Sequence, residues 1–277
     1  MTGDGVNDLL ALKEADCAIS VASGAEAARN VSHLVLMDNN FNSMPSIVYE
    51  GRRVINNIEN SASLYLMKTL LITCLALFCL ISQQSYFFTT QNMMLFEMFV
   101  SGLPSFILSL QPNSKKVEGK FFSYVISHSI PQAFTMFLCV LGVYLSYSIP
   151  SFNAAIYPPE TGAVEWQAMM VLVMTLSGIV MLYQICKPLN VLRGALIVTV
   201  FLICVLFMTV GYNDFSLGDI VIANYHTIKF NAAELLLMST IILSAFPVSK
   251  YATLLCENMS KSISKESIDS KKQMHVK

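Results

Sequence analysis

From about residue 64 onward, long apolar segments alternate with short polar connections. Six segments are long enough to cross a membrane, because a transmembrane helix needs roughly 20 mainly apolar residues. They lie at about 64–84, 92–111, 122–147, 166–186, 194–212 and 232–249. The pattern predicts a mainly α membrane protein with a six-helix transmembrane domain at 64–249. The tail at 250–277 is polar, and its composition beyond residue 257 favours disorder.

The first 42 residues follow another pattern. Two short apolar runs, at 17–22 and 33–38, are typical of buried parallel strands, and a helix is predicted between them at about 24–31. Too few strands are present to bury both faces of a sheet. We therefore expect residues 1–42 to be the C-terminal remnant of an α/β domain.

One long helix is predicted to join these two parts. It can begin near Ser43, with Pro45 tolerated in the first turn, and up to Ile81 only Gly51 weakens it. From Ser46 to about Ile81, about 36 residues at 1.5 Å each give roughly 54 Å, which exceeds the ~30 Å hydrocarbon core of a bilayer. Residues 43–63 are therefore expected to form a stalk that enters the membrane.

Composition agrees with a membrane protein and excludes other classes. Hydrophobic residues make up 55% of the chain and charged residues 13%, and the mean hydropathy is +0.58. A soluble domain carries about 25% charged residues. With 17 Lys and Arg against 18 Asp and Glu, the chain has no basic excess for binding nucleic acid. These values exclude a soluble enzyme, a disordered chain and a nucleic-acid binder, and they make the lipid bilayer a partner.

The basic residues indicate which side of the membrane each connection occupies. Fifteen of the 17 Lys and Arg lie in alternate connections of the predicted domain, at 1–60, 112–121, 187–193 and 250–277. The connections on the opposite side contain only Lys229. Because Lys and Arg collect in short cytoplasmic loops, we expect a multi-pass protein of the plasma membrane with both termini in the cytoplasm.

The sharpest chemical signal is the run TGDGVND at residues 2–8. Glycines on both sides of a carboxylate allow the backbone to turn tightly. Two Asp and one Asn within five residues suit Mg²⁺, which prefers oxygen ligands. Taken alone, such a loop is also compatible with an ordinary polar turn.

The wider context resembles a known family. The run TGDGVNDLLALKEADCAISV is followed by SHLVLMDNNFNSMPSIVYEGRRVINNIE and then by a membrane span. This combination resembles the end of the phosphorylation domain of P-type cation-transporting ATPases, and within them the bacterial, calcium-pump-like members of the cation-transporting ATPase E type. The resemblance covers residues 1–72 closely and the six-span layout more loosely. It implies a haloacid-dehalogenase-like α/β domain followed by six C-terminal membrane helices.

The resemblance also implies roles for the residues of the loop. Asp4 would bind the catalytic Mg²⁺, and Asp8 would be a second metal-binding carboxylate in the same polar network. Asn7 would contact the aspartyl-phosphate, while Thr2 and Gly3 would line the phosphate side. The family's phosphorylated aspartate lies in a DKTGT sequence, which does not occur here. We therefore expect ATP to bind only in the intact pump, and the chain alone to hydrolyse none.

A second polar group lies inside the predicted second span. Glu97 and Ser101 are one helical turn apart, and Gly102 and Pro104 weaken the helix beside them. Loosened membrane helices expose carbonyl oxygens that can bind a cation. The resemblance implies that Glu97 is a ligand of the transported ion and that Ser101 replaces an aspartate. Ser105 is a further candidate oxygen donor.

Two residues of the long helix fall at the corresponding level of the family's fifth membrane helix. Thr69 is a candidate ion ligand, but the amide and the glutamate that calcium pumps would supply near Thr69 and Ile72 are missing, which leaves at most one good site. Lys68 is a possible counter-charge for Glu97 when the site is empty, provided that the second span is partly unwound. Alternatively, Lys68 extends to the cytoplasmic interface.

These observations favour the C-terminal part of an ATP-driven cation pump, with Ca²⁺ as the preferred ion. Two alternatives stay open. The chain could be a truncated or split-gene membrane remnant without ATPase activity of its own, assembled with an N-terminal half of the same pump or inactive. It could also be a lipid flippase of the same superfamily, which the arrangement around Glu97 disfavours.

Overall fold

The structure is a computed structural model of the 277-residue chain. It describes residues 1–88, 90–113, 115–117, 121–157, 162–187, 189–209, 215–217, 220–223 and 230–274. The chain divides into two compact units. The first consists of Met1–Ile55 with Pro112–Val117, and the second of Asn56–Gln111 with Glu118–Lys277.

The first unit is a small α/β arrangement. Its regular elements are the helices α1 (Leu9–Glu14) and α2 (Glu26–Val31) and the strands β1 (Ile19–Val21) and β2 (Leu34–Leu36). The two strands pair in parallel, with Ile19 opposite Leu34. The helix α2 lies between them in the chain, as the sequence predicts. Leu12, Ala18 and Ala28 are completely buried and form its small core.

The long helix α3 (Met44–Ile81) has 38 residues and no interruption. Its start agrees with the prediction, and a short hydrogen-bonded segment precedes it. The Asp38 carboxyl accepts hydrogen bonds from Ser43 Oγ and from the Asn40 amide. These bonds, with that of Ser43 the more important, hold the pKa of Asp38 below its usual range.

The predicted second span is not one helix. It consists of α4 (Thr90–Phe96), a π-helical turn (Glu97–Gly102) and α5 (Leu103–Ser109), which together we call the interrupted segment. Pro104 has no N–H group, so the carbonyl of Val100 loses its α-helical donor. The wider winding directly before this proline follows from that loss, at the position where the sequence predicts a weakened helix.

The remaining helices of the second unit are α6 (Phe121–Ser148), α7 (Pro150–Ile156), α8 (Gly162–Ile185), α9 (Val191–Thr209) and α10 (Ala232–Met274). The strands β3 (Phe215–Leu217) and β4 (Ile220–Ala223) pair antiparallel. The short helix α7 and this strand pair lie in stretches that the sequence assigns only to connections. The helix α8 lies at the centre of the second unit, since 78% of its most apolar 18-residue stretch is buried, compared with 22% of the corresponding stretch in α10.

Four helices of the described residues are long and apolar enough to cross a membrane. They lie within Phe41–Ile81, Phe121–Ser148, Trp166–Ile185 and Ala232–Cys256. Two shorter apolar helical stretches, Glu97–Ser109 and Val191–Leu206, coincide with the other two predicted spans. The chain is therefore a membrane protein by helix length and composition, and the count of six spans stays a prediction.

The prediction of a disordered tail is wrong for the part that the structure describes. The helix α10 continues through Pro247 as far as Met274. Between residues 248 and 274 the chain has neither glycine nor proline to end the helix.

Candidate functional site

The TGDGVND loop is anchored to the first strand. Thr2 pairs with Ile19 beside β1, and the Gly3 amide donates to the Ile19 carbonyl at 3.0 Å. The Ile19 amide donates in turn to the Met1 carbonyl at 2.9 Å. The loop therefore begins at the end of a short extended segment that pairs with the first residue of β1.

Asp8 closes the loop from its other end. Its Oδ2 atom accepts a hydrogen bond from the Gly5 amide at 3.2 Å, and its own amide donates to the Gly5 carbonyl at 3.2 Å. A Cβ atom on Gly3 would lie 2.6 Å from Asp8 Cβ, which is closer than real contacts allow. Glycine is therefore required at position 3 for Asp8 to reach Gly5.

Asp4 has a fixed backbone and an exposed side chain. Its carbonyl accepts a hydrogen bond from the Ala25 amide at 2.7 Å, and Gly24 approaches the same carbonyl closely. Asn7 is also exposed. Among the described residues, no group of three or more His, Cys, Asp or Glu side chains surrounds this point. The available oxygens fit Mg²⁺, which is often bound by one or two carboxylates together with water and phosphate oxygens.

In the second unit, four polar residues of α3 form a stripe along one face of the helix. We call Asn57, Ser61, Tyr65 and Lys68 the polar stripe. Their spacing of three or four residues places them one above the other on a helix. Each of them contacts the interrupted segment or the residues directly after it.

The stripe holds the end of the interrupted segment by its backbone. Asn57 Nδ2 donates to the carbonyl oxygens of Ser109 and Gln111, each at 2.9 Å. Ser61 Oγ lies 3.4 Å from the Ser105 carbonyl oxygen, to which it donates. The Ser109 and Gln111 carbonyls lie at the end of α5 and just after it, where a helix has no intrahelical donors left, whereas the Ser105 carbonyl lies one turn earlier.

The stripe ends in an ion pair. Lys68 Nζ lies 2.8 Å from Glu97 Oε1, and the Lys68 and Glu97 side chains keep 22% and 47% of their exposure. Glu97 is the first residue of the π-helical turn. Lys68 and Glu97 therefore meet where the winding of the interrupted segment changes. The sequence analysis predicts their contact only if this segment is not a regular α-helix.

Ser101 lies in the same π-helical turn but in different surroundings. It is 1% exposed, and its Oγ atom has no hydrogen-bond partner among the described residues. A buried hydroxyl without a partner is costly, and such a group calls for water or an ion. Ser101 thus has unused capacity to bind an ion, close in sequence to the Glu97 carboxylate.

The other two predicted ion ligands differ from each other. Ser105 is buried, and its Oγ atom donates to the Gly102 carbonyl at 2.9 Å and lies 3.1 Å from the Tyr65 hydroxyl. Thr69 is exposed, and its hydroxyl donates to the Tyr65 carbonyl of its own helix at 2.9 Å. Ser105 is therefore connected to the contact between the two segments, whereas Thr69 has no contact with the interrupted segment among the described bonds.

Known proteins similar to this chain are cation-transporting ATPases. A probable cation-transporting ATPase of Streptococcus pneumoniae is 34% identical over 206 residues, which is 72% of this chain and 25% of that protein. A calcium-transporting ATPase of Mycobacterium bovis is 40% identical over 156 residues, 53% of this chain and 20% of that protein. One from Listeria monocytogenes is 33% identical over 111 residues, 40% of this chain and 13% of that protein.

The chain is homologous to the P-type cation-transporting ATPases. It spans about a quarter or less of the length of these curated relatives. No family model matches it. The similarity over more than 200 residues extends beyond the 72 residues on which the resemblance of the loop and stalk is based.

Sequence reasoning missed several polar residues of this ATPase homologue that hold its membrane helices together. Arg193 is 5% exposed, its Nε atom donates to Gln111 Oε1 at 2.6 Å, and its Nη1 atom donates to the Cys186 carbonyl at 3.1 Å. Asn57 and Gln111 are equally buried. Their position at the ends of apolar segments is the only signal in the sequence, and solvated residues share it.

Proposed function

We propose that this chain is part of an ATP-driven P-type cation pump and that Glu97 is the carboxylate of its transported-ion site. The observation that carries the proposal is the ion pair between Lys68 and Glu97 at a π-helical turn. Ionisable groups within membrane segments are costly and usually functional, and π-helical turns occur frequently at functional sites. The names of the relatives support cation transport.

Ca²⁺ is the preferred ion. Glu97 offers a carboxylate, Ser101 a buried hydroxyl without a partner among the described residues, and the π-helical turn the backbone carbonyls beside them. Oxygen ligands of these three kinds suit Ca²⁺. Ser105 is the next donor, and Thr69 takes part only if its hydroxyl leaves its own helix. The relatives in Mycobacterium bovis and Listeria monocytogenes are named calcium-transporting ATPases.

Lys68 is the internal counter-charge of this site. Its ammonium group lies 2.8 Å from Glu97 Oε1, which is close enough to neutralise the carboxylate. A divalent cation that binds Glu97 repels the ammonium group, so Lys68 must turn away. Before a cation binds, the pair with Lys68 leaves no unpaired carboxylate in the membrane, which avoids the cost of a lone charge.

The loop at residues 2–8 contributes to phosphoryl transfer. Asp4 would hold Mg²⁺ with its exposed carboxylate, and Asp8 would contribute its second oxygen while Oδ2 holds the Gly5 amide. Bound there, Mg²⁺ supplies counter-charge for the transferred phosphoryl group. Thr2 and Gly3 line the phosphate side, and Asn7 contacts the phosphorylated aspartate. That aspartate and the ATP site belong to other parts of the pump.

The arrangement in the cell follows from the same proposal. Residues 1–42 are the end of a haloacid-dehalogenase-like domain, residues 43–63 are the stalk, and six helices at 64–249 cross the plasma membrane with both termini in the cytoplasm. The uninterrupted helix α3 supports this organisation, because it runs from Met44 to Ile81 without a break. Movement at its cytoplasmic end would thereby reach Lys68.

Replacing Glu97 by Gln in the pump that contains this chain tests the proposal. Phosphorylation from ATP should lose its stimulation by Ca²⁺, whereas phosphorylation by inorganic phosphate should persist. Glu50→Gln is the matched control, because Glu50 is exposed and pairs with Arg53 on its own helix. Unchanged Ca²⁺ affinity in Glu97→Gln would refute the site. A wild-type protein that transports lipid instead of cations would favour a flippase, and one that is never phosphorylated would favour an inactive remnant.

A further inference from the structure

We propose that Lys187 and Lys250 bind the headgroup of an anionic phospholipid at the end of the membrane domain where α8 ends. The acyl chains of this lipid lie on the outer face of α10, along Leu243 and Phe246. We call these four residues the headgroup site. The proposal goes beyond cation transport, and it requires only that these helices lie in a membrane.

The helices α8 and α10 are held side by side near this end. Gln184 Nε2 donates a hydrogen bond to Ser249 Oγ, and the Tyr183 and Phe246 rings lie 6.2 Å apart. Residue numbers increase together along both helices at these contacts, so α8 and α10 run in the same direction. The residues that directly follow the contacts on each helix therefore lie at the same end of the domain.

Lys187 is directed toward α10. Its Nζ atom lies 4.7 Å from the centre of the Tyr183 ring and 6.0 Å from the centre of the Phe246 ring. Aromatic rings attract an ammonium group at such distances, but they do not neutralise its charge. The two rings therefore hold Lys187 beside the outer face of α10, and its charge stays available to an anion.

Lys250 brings a second positive charge to the same end. It is exposed, as is Lys187, and it lies one helical turn after Phe246 on the same face of α10. Within the part of the chain that the structure describes, neither lysine is in a salt bridge. No Asp or Glu occurs at 166–213 or at 235–256. The headgroup site thus has two positive charges and no acidic residue close to it along either helix.

The surface that leads to the two lysines is apolar and exposed. Leu243 is 72% exposed and Phe246 is 40% exposed. Their spacing places them in one row with Lys250 along α10. An apolar row that ends in positive charge matches a phospholipid with an anionic headgroup, and basic pockets between membrane helices bind such headgroups. A soluble anion would match the lysines but not the apolar row.

The melting temperature of the full chain in an uncharged detergent tests this site. Dioleoylphosphatidylglycerol, which is anionic, is compared with dioleoylphosphatidylcholine, which has no net charge. A lipid that binds the folded chain raises its melting temperature. We expect half of the maximal rise at an at least tenfold lower concentration of phosphatidylglycerol than of phosphatidylcholine, since each lysine near a headgroup contributes about fivefold.

Substitutions assign this preference to the headgroup site. Lys187→Gln and Lys250→Gln should each raise the required concentration of phosphatidylglycerol by about fivefold, and a chain with both should have no preference. Lys187→Arg keeps the charge and should keep the preference. Lys115→Gln together with Lys116→Gln is the control, because it removes two exposed lysines elsewhere. Both lipids are compared within each variant, so a loss of stability caused by the substitution itself does not change the ratio.

Equal concentrations of the two lipids in the parent chain, or a preference that persists without both lysines, would overturn the site. A preference that is lost equally in the control would overturn it as well, because net charge would then be the cause. Glycerol 3-phosphate carries a phosphate without acyl chains, and the lipid assignment is wrong if it stabilises the chain as much as phosphatidylglycerol does. None of these measurements uses ATP or Ca²⁺, so they are independent of the proposed pump function.

Discussion

The continuous helix α3 and the interrupted segment beside it satisfy their backbones in different ways. The helix α3 keeps one winding over 38 residues. The interrupted segment changes winding at Glu97–Gly102 and ends at Ser109, and its carbonyls at Ser105 and Ser109 accept bonds from side chains of α3. The helix α3 supplies side-chain donors at regular spacing, and the interrupted segment supplies backbone acceptors, of which Ser109 lies past the last intrahelical donor of α5.

This difference explains where the candidate ion site lies. A continuous helix fixes the distance between its residues along the helix axis, so the positions of Asn57 and Lys68 relative to each other are fixed. The interrupted segment is bound to α3 at two points. The Ser109 carbonyl accepts a hydrogen bond from Asn57, and Glu97 pairs with Lys68. The candidate ion ligands Glu97 and Ser101 therefore lie where the winding changes, beside the continuous helix α3.

The largest effect is expected from breaking the contact at Asn57. Asn57→Leu removes the donor of two carbonyls, at Ser109 and Gln111, and should destabilise the second unit by about 2–5 kcal/mol. Thermal unfolding of the chain in detergent measures this loss. Thr73→Val is the control, because the exposed Thr73 hydroxyl donates to the Thr69 carbonyl of its own helix. Equal stability of Asn57→Leu and the control would contradict the role of Asn57 in holding the end of the interrupted segment.

A smaller loss is expected at Gln111, which connects the end of the interrupted segment to Arg193. Gln111→Leu removes an acceptor from a buried guanidinium group and should cost about 1.5–3 kcal/mol. Gln111→Glu keeps the acceptor and should retain most of the stability. The two melting temperatures test this directly, and the prediction fails if leucine and glutamate have the same effect.

The winding itself can be altered with Pro104→Ala, which restores the missing backbone donor. We expect the segment to return to regular α-helical winding and Glu97 to move away from Lys68. A double-mutant cycle of Lys68→Met and Glu97→Gln should give a coupling energy of about 1 kcal/mol in the parent chain and close to zero with Pro104→Ala. A coupling energy that persists with Pro104→Ala would show that the proline is not needed for the pair.

The smallest effect concerns the straightness of α3. Gly51 is the single glycine in this helix, and a Cβ atom there would meet nothing within 4 Å. Gly51→Ala should therefore stabilise the helix by about 0.5–1 kcal/mol. Hydrogen exchange of the amides around residue 51 would slow accordingly. Faster exchange in Gly51→Ala than in the parent chain would contradict a regular, continuous α3 at this position.

The sequence predicts backbone elements here better than contacts between side chains. The bounds of α3, the two parallel strands and the weak point at Gly102 and Pro104 follow from apolar runs and from proline chemistry. The pairing of Lys68 with Glu97 depends on the local winding of the interrupted segment. The sequence predicts the pair only if that winding departs from a regular α-helix.

The remaining polar contacts depend on how helices are aligned with one another. Asn57, Gln111 and Gln132 are buried by neighbours that are distant in sequence, so periodicity along one helix does not identify their partners. Thr69 shows the same limit, because it follows Lys68 in sequence but lies about 100° further around the helix. It is therefore exposed, while Lys68 reaches Glu97.

The Ca²⁺ dependence of phosphorylation from ATP in Lys68→Met tests the central claim most directly. If Lys68 competes with the transported ion for Glu97, the variant should need less Ca²⁺ for half-maximal phosphorylation, by about fivefold for an ion pair worth about 1 kcal/mol. Glu97→Gln should show no Ca²⁺ stimulation under the same conditions. An unchanged or higher Ca²⁺ requirement in Lys68→Met would contradict the account.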